Sequence, residues 1–359
     1  MTSPTNSEAL AEADRYDASG NHDEAINVLA RATQQGDQAA KTRLGKRMLV
    51  GDRCPYLPRE GASFILEAAQ AGNAEAVSLV AVFQATGIFQ QKNWAHALNT
   101  LTHAATLGSA SAREQLVLLA GTGEPAATPG LLDNEDRQHW LQLRERIRPE
   151  EWLAPMEGKV LNEEPLIKTF EHLLSQEICR WLVRLSAQRL KRALVYDAAK
   201  RRNYASETRT NSIAEFNLVE NELLHFLIQQ KMSSACNVPM VQFEGTAILN
   251  YQPGEEISPH FDFVDPKMPN YDQEIATNGQ RIITFLIYLN EEYEGGDTVF
   301  TELDLSFKGK TGDGIFFANS LSDGSSDTRT RHSGTPPTSG EKWILSQFIR
   351  NREVKYILD

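Results

Sequence analysis

Along the first third of the chain, apolar residues recur at helical spacing, and the phrase they form repeats. Gly36, Gly72 and Gly108 stand 36 residues apart, preceded by Ala32, by Ala68 and Ala69, and by Ala104 and Ala105. Leu29, Ile65 and Leu101 keep one phase before each glycine, and Leu44, Val80 and Leu116 keep another after it. Asp37, Asn73 or Ser109 follows each glycine directly, the order needed where a helix ends in a left-handed residue and the next begins on its N-cap. This predicts one helix-pair unit used about three times over residues 1–120. Such pairs cannot bury their apolar faces alone and stack into an α-solenoid. The middle unit departs by carrying Gly61 where the others have Ala25 and Ala97.

The pattern breaks over 121–164. Turn residues crowd Gly121 to Pro125 and Thr128 to Gly130, and Asn134 to Ile147 reads as one polar connecting helix with Trp140 and Leu143 on its apolar side. From 165 the chain reads as a short strand, 165–170, then an amphipathic helix capped by Ser175 and continuing through Leu190. Four β-rich segments follow between glycine and proline turns, 238–251, 280–290, 314–318 and 343–350. Many short late strands predict an all-β barrel or double-sheet jelly roll with flanking helices over 165–359. The whole is an α+β multidomain chain.

At 359 residues the chain exceeds one ordinary core, and 41% hydrophobic with 23% charged residues describes a globular protein. A formal net charge of −12 and a sequence pI near 5.3 argue against nucleic acid or anionic membrane surfaces as partners. Cys54, Cys179 and Cys236 are few, odd in number and without metal-type spacing, which fits reduced thiols in a cytoplasm. The N-terminus lacks a basic stretch leading into an apolar one, and no apolar run approaches the ~18 residues that span a bilayer. A cytoplasmic protein is expected.

The candidate chemistry sits late in the chain. In extended backbone alternate residues face one side, so His260 and Asp262 project together. His332, arriving from another strand, completes two imidazoles and one carboxylate, a facial set for a divalent metal with open positions. Lys342, ten residues after His332, supplies a cation where an anionic cosubstrate can end.

The text around these residues carries a resemblance. Tyr251 to Gly254, His260 to Asp262, Arg281 to Asn290, Glu294 to Phe300, His332 and Gly340 to Trp343 follow in the order of the iron(II)- and 2-oxoglutarate-dependent dioxygenases, within the prolyl 4-hydroxylase branch. Arg209 to Ser212 resembles that branch's Arg-Thr-Ser phrase. The resemblance implies iron(II) on His260, Asp262 and His332, with 2-oxoglutarate and dioxygen as co-substrates and ascorbate as a possible reductant. It implies Lys342 on the distal carboxylate of 2-oxoglutarate, Tyr251 and Tyr288 as hydroxyl donors to it, and Thr284 on the same face. Arg281 and Arg209 match positions near the site mouth, where substrate contact and a structural salt bridge are both open. The Ala-Ala-x-x-Gly phrases resemble Sel1-like repeats, relatives of the tetratricopeptide repeat, which implies either a protein-binding scaffold or a packing module.

Phe263 stands where tyrosine is common in that branch, and Gln347 where many members have a second tryptophan. Both are expected near the substrate. The polar stretches 265–279 and 320–331 are expected to act as lids that order on binding. The expected activity is hydroxylation of a prolyl residue in a peptide or protein. A free amino acid such as proline or pipecolate is the second reading, and an inactive repeat scaffold the third.

Overall fold

A computed structural model describes residues 8–123, 134–197 and 202–355, so the turn-rich stretch 124–133 lies outside it. Contacts divide the chain into two units. Among the described residues, one comprises those up to Trp152 together with Asn217–Ile228, and the other those within Leu153–Phe216 and Gln229–Lys355.

The first unit is helical: α1 (Glu8–Ala18), α2 (His22–Gln34), α3 (Gln38–Val50), α4 (Pro58–Gln70), α5 (Ala74–Thr86), α6 (Trp94–Thr106), α7 (Ala110–Leu119) and α8 (Asn134–Arg146), before the short α9 (Pro149–Leu153). The joint inside each repeated pair is the same three times. Gly36, Gly72 and Gly108 take φ of 89°, 85° and 98°. The next side chain then caps the following helix. Asp37 accepts from the Ala40 amide at 3.0 Å, Asn73 from Ala76 at 2.9 Å and Ser109 from Ala112 at 3.2 Å. Successive units are tied by side chains from these joints, Thr42 to Asn73 and Ser78 to Ser109, each at 3.2 Å.

Gly61 has a steric cause. A Cβ there would lie 2.7 Å from the Gly45 carbonyl oxygen, and one on Gly45 would lie 2.9 Å from that of Gly61, so α3 and α4 cross where no side chain fits. Trp140 and Leu143 of α8 are buried as their spacing predicts. Segment 217–228, read from the sequence as part of the oxygenase region, belongs to this unit. The buried Gln115 of α7 donates to the Glu222 carboxylate at 2.8 Å and accepts from the Leu224 amide at 3.0 Å.

The second unit carries β1 (Lys159–Asn162), β2 (Ile167–Phe170), α10 (Gln176–Ala187), β3 (Lys191–Arg192), β4 (Val195–Asp197), β5 (Arg202–Tyr204) and β6 (Ser212–Glu215). After α11 (Leu223–Cys236), through which the division passes, come β7 (Ala247–Tyr251), β8 (Ile257–His260), α12 (Tyr271–Asn278), β9 (Arg281–Tyr288), β10 (Glu294–Gly295), β11 (Thr298–Phe300) and β12 (Leu305–Phe307). The chain ends with β13 (Gly314–Ala318), β14 (His332–Gly334), β15 (Pro337–Ser339) and β16 (Lys342–Arg350).

An eight-stranded sheet, β1-β2-β13-β9-β16-β7-β6-β3, and a four-stranded sheet, β12-β11-β14-β8, form the double-stranded β-helix, or jelly roll, with every pairing antiparallel. Phe300 of the smaller sheet packs edge-on to Phe317 of the larger at 5.0 Å, in a core shared with Ile167, Leu286, Ile315 and Ile344. The Ser175 cap is present, but α10 stops at Ala187. The stretch 265–279 is not a bare polar loop: it carries α12, fastened by Arg350 to Glu274 at 3.2 Å and to the Gly279 carbonyl at 2.6 Å. No described helix is long and apolar enough to cross a membrane.

Candidate active site

The smaller sheet brings the ligand-type residues together by register. β8 ends on His260, β14 opens on His332, and the two pair directly across the ladder. Asp262 follows two residues on. Its Oδ1 lies 3.3 Å from His260 Nε2 and its Oδ2 lies 3.4 Å from His332 Nε2. One ligand atom from each residue falls within 4.8 Å of the others. Asp262 and His332 are buried and His260 is half-buried, so the set is open on the His260 side.

Backbone carbonyls orient both rings. Nδ1 of His260 faces the Ser258 carbonyl at 2.9 Å, and Nδ1 of His332 faces that of Thr330 at 3.0 Å. A carbonyl oxygen only accepts, so each Nδ1 carries the proton and each Nε2 turns a lone pair toward Asp262. Burial pushes His332 down to about 4, which keeps it neutral. Burial opposes charge on both His260 and Asp262. The facing partners outweigh it, raising His260 and holding the Asp262 carboxyl well below the usual carboxylate range. Two imidazole lone pairs and a carboxylate converging on one point repel until a cation stands between them, and this N,N,O donor set suits iron(II). The residues fit the metal.

Lys342, at the start of β16, pairs across the ladder with Tyr251 of β7. It is 1% exposed, and among the described residues no carboxylate lies within ion-pair distance of its ammonium. Burial lowers its pKa to about 7, partly offset by Asp297. Its Nζ sits 5.0 Å from the Tyr251 ring centre and 5.7 Å from that of Tyr288. A buried lysine flanked by aromatic rings, with no carboxylate among the described residues at ion-pair distance, is suited to receive an anion. Burial likewise raises both tyrosines, which stay protonated donors.

The remaining expected residues divide. Tyr288 points inward, but its hydroxyl already contacts Thr298 Oγ1 and the Phe307 carbonyl, both at 2.9 Å. Thr284, expected on the cosubstrate, instead donates to Asp262 Oδ2 at 2.8 Å. Strand alternation placed it on the correct face without showing what the hydroxyl reaches. Arg281 forms a two-point ion pair with Glu244 at 2.7 and 2.9 Å and lies on the Phe348 ring, 3.8 Å from its centre. That is the salt-bridge alternative. Arg209 bridges to Ile257 of β8, and its charge is close enough to oppose the upward shifts of both His260 and Tyr251.

Gln347, expected near the substrate, is fully buried in an amide network. It accepts from Gln229 at 3.0 Å and Thr246 at 2.8 Å and donates to the Glu244 carbonyl at 2.7 Å. Phe263 is buried and stacks on Phe261. Two buried polar residues have no part in the sequence expectation. Thr298 could be found from the inward alternation of Thr298 and Phe300 on β11, whereas Asn319, which donates to Thr284 at 2.9 Å, leaves no local signal.

Comparison with known proteins follows this geometry. Residues 246–350 match the family model of the 2OG-Fe(II) oxygenase superfamily. A probable prolyl 4-hydroxylase 10 of Arabidopsis thaliana is 27% identical over 216 residues, covering 55% of this chain and 73% of the relative. Prolyl 4-hydroxylase subunit alpha-1 of Rattus norvegicus is 28% identical over 200 residues, 56% of this chain but only 37% of the subunit. Among solved structures, a viral collagen prolyl hydroxylase from Paramecium Bursaria Chlorella virus-1 aligns at 24% identity with a TM-score of 0.39, over 51% of this chain and 94% of its own. A Sel1 repeat protein from Oxalobacter formigenes aligns at 17% identity and a TM-score of 0.29, over 40% of this chain and 60% of its own. The chain carries a 2OG-Fe(II) oxygenase domain at 246–350 and is similar to the prolyl 4-hydroxylases over about half its length, which indicates a 2-oxoglutarate-dependent dioxygenase.

Proposed function

We propose that this dioxygenase hydroxylates a prolyl residue within a peptide or protein, releasing succinate and carbon dioxide. The observation that carries the reading is the pairing of the open His260, Asp262 and His332 set with the buried, uncompensated Lys342. The relatives' prolyl 4-hydroxylase names support the choice of proline.

In this reading His260 Nε2, His332 Nε2 and Asp262 hold the metal, and Lys342 binds the distal carboxylate of 2-oxoglutarate with Tyr251 beside it. When bound, iron(II) with 2-oxoglutarate and dioxygen supplies an oxidant that removes hydrogen from an unactivated carbon and returns hydroxyl. The protein's own work is orientation and exclusion of water. The Ser258 and Thr330 carbonyls fix the imidazoles, and the aromatic walls of Tyr251, Tyr288 and Phe300 keep the buried side dry. Arg209, beside His260 at the open side, is the residue we assign to substrate contact. In the same reading the catalytic region lies within 165–359 apart from 217–228, 121–164 is the link and 1–120 a repeat array suited to holding a protein partner. Three cysteines without disulfides fit a reducing cytoplasm.

The test is mass spectrometry after incubation with iron(II), ascorbate and 2-oxoglutarate. Proline-containing peptides should gain about one oxygen mass, with matching succinate. Gain on free proline or pipecolate alone would replace the peptide with a free imino acid, and equal succinate release by Asp262→Ala would remove the metal assignment.

A further inference from the structure

The Asp262 carboxylate does not stand alone behind the metal position. Thr284 Oγ1 lies 2.8 Å from Asp262 Oδ2, and Asn319 Nδ2 lies 2.9 Å from Thr284 Oγ1. Thr284 is 1% exposed and Asn319 fully buried, so no water shares these bonds from bulk. A hydroxyl has one proton, and an ionised carboxylate only accepts. The Thr284 proton must therefore point to Asp262, and Asn319 must present its amino group, because its carbonyl there would face a lone pair. The chain of donation runs one way, from Asn319 to Thr284 to Asp262.

The backbone holds Asn319 for this task. Its amide donates to the Ile282 carbonyl at 2.7 Å, beside Thr284 on β9, and its carbonyl accepts from the Asp327 amide at 2.9 Å. Asp327 caps the short turn Thr328–Thr330, whose last carbonyl orients His332. One stretch, 319–332, thus supports the carboxylate at one end and an imidazole at the other. The Asn319 side-chain Oδ1 is buried and, among the described residues, has no hydrogen-bond partner, so the side-chain amide is kept for its donor alone.

Resting on the metal reading above, we infer that Thr284 and Asn319 are positioning residues that hold Asp262 for the metal, with Oδ2 engaged by the Thr284 hydroxyl and Oδ1 left as the stronger donor. A free carboxylate can rotate and chelate through both oxygens. This one is turned to a single orientation before any metal arrives, which lowers the ordering cost of binding and keeps further positions open for cosubstrate.

The test is anaerobic titration of the metal-free full chain with cobalt(II), following its visible absorption, without turnover. Thr284→Val, which keeps the shape but loses the hydroxyl, should bind about 10–100-fold more weakly, as supporting-residue losses generally do. Thr284→Ser should recover most of that loss. Asn319→Asp should be worse than Asn319→Ala, because two carboxylates would then compete for one hydroxyl proton. Wild-type affinity and spectrum in both Thr284→Val and Asn319→Asp, with binding lost in Asp262→Ala, would overturn the relay and leave the metal site standing. Unchanged binding by Asp262→Ala would overturn the metal site itself. If Thr284→Val does not fold, the order of the two Asn319 variants decides, and equal affinities would sink the relay.

Discussion

The repeat array and the oxygenase region are specified in opposite ways. In the array, a glycine, a capping side chain and a small-residue helix start recur every 36 residues, and each joint is complete within a few positions of itself. In the oxygenase region the decisive atoms come from residues 260, 262, 284, 319, 332 and 342, and only strand register makes them neighbours. Local repetition makes a unit tolerant, because one weakened joint leaves its copies intact. Long-range convergence makes a site brittle.

That contrast is broken or sharpened by the following measurements, in falling order of effect. Asp262→Ala should abolish 2-oxoglutarate-dependent succinate release while leaving the thermal unfolding of the array unmoved; a lowered array transition would break the contrast. Lys342→Ala should raise the KM for 2-oxoglutarate by about 30-fold or more, since truncating one partner of a buried charged hydrogen bond costs roughly 2 kcal/mol or above. An unchanged KM removes Lys342 from the site.

The same lysine sets a pH dependence. Burial lowers its pKa to about 7, so in the empty site it is charged below that pH and increasingly neutral above it. A bound carboxylate favours the ammonium and raises the pKa. Affinity for 2-oxoglutarate should therefore be highest below pH 7 and fall above it, by up to about tenfold per pH unit until the pKa of the bound state is reached. Calorimetric titration at several pH values, with an inert divalent metal in the site, would show a flat profile if the sign is wrong.

In the array, Gly61→Val should destabilise the α3–α4 crossing by about 1–3 kcal/mol, because the new side chain meets the Gly45 carbonyl and the Leu49 amide. The KM for 2-oxoglutarate should not change. Asn73→Ala, which removes one cap of three, should cost about 1 kcal/mol in thermal unfolding.

How far each region can be read from sequence follows from the same difference. The glycine-to-cap joints, the buried Trp140 and Leu143 and the oddity of Gly61 are short-range patterns, and the structure realises each. His260 and Asp262 are visible through strand alternation, and His332 and Lys342 through their order in a known phrase. The partners of these residues are not visible. Thr284 lies on the expected face, yet its hydroxyl is directed by Asn319, 35 positions away. Gln347 reads as a substrate-side departure, but Gln229 and Thr246, from α11 and the turn before β7, bring it into a buried network. The helix Leu223–Cys236 goes unpredicted because it is buried along most of its length. His225, Gln229 and Ser233 lie inside it, and no solvent-facing stripe marks its period. Polar residues over 265–279 read as a loose lid because nothing nearby in sequence announces Arg350.

Gln115 carries the order of synthesis in its hydrogen bonds to Glu222 and Leu224. Its amino group reaches Ser111 of its own helix at 3.0 Å as well as Glu222, but its side-chain oxygen accepts from the Leu224 amide, more than a hundred residues downstream. As the chain leaves the ribosome, the last repeat therefore emerges before the partner of that oxygen has been made. The array reaches its final form only after residue 228 has followed, and its completion is timed by the synthesis of the segment it holds.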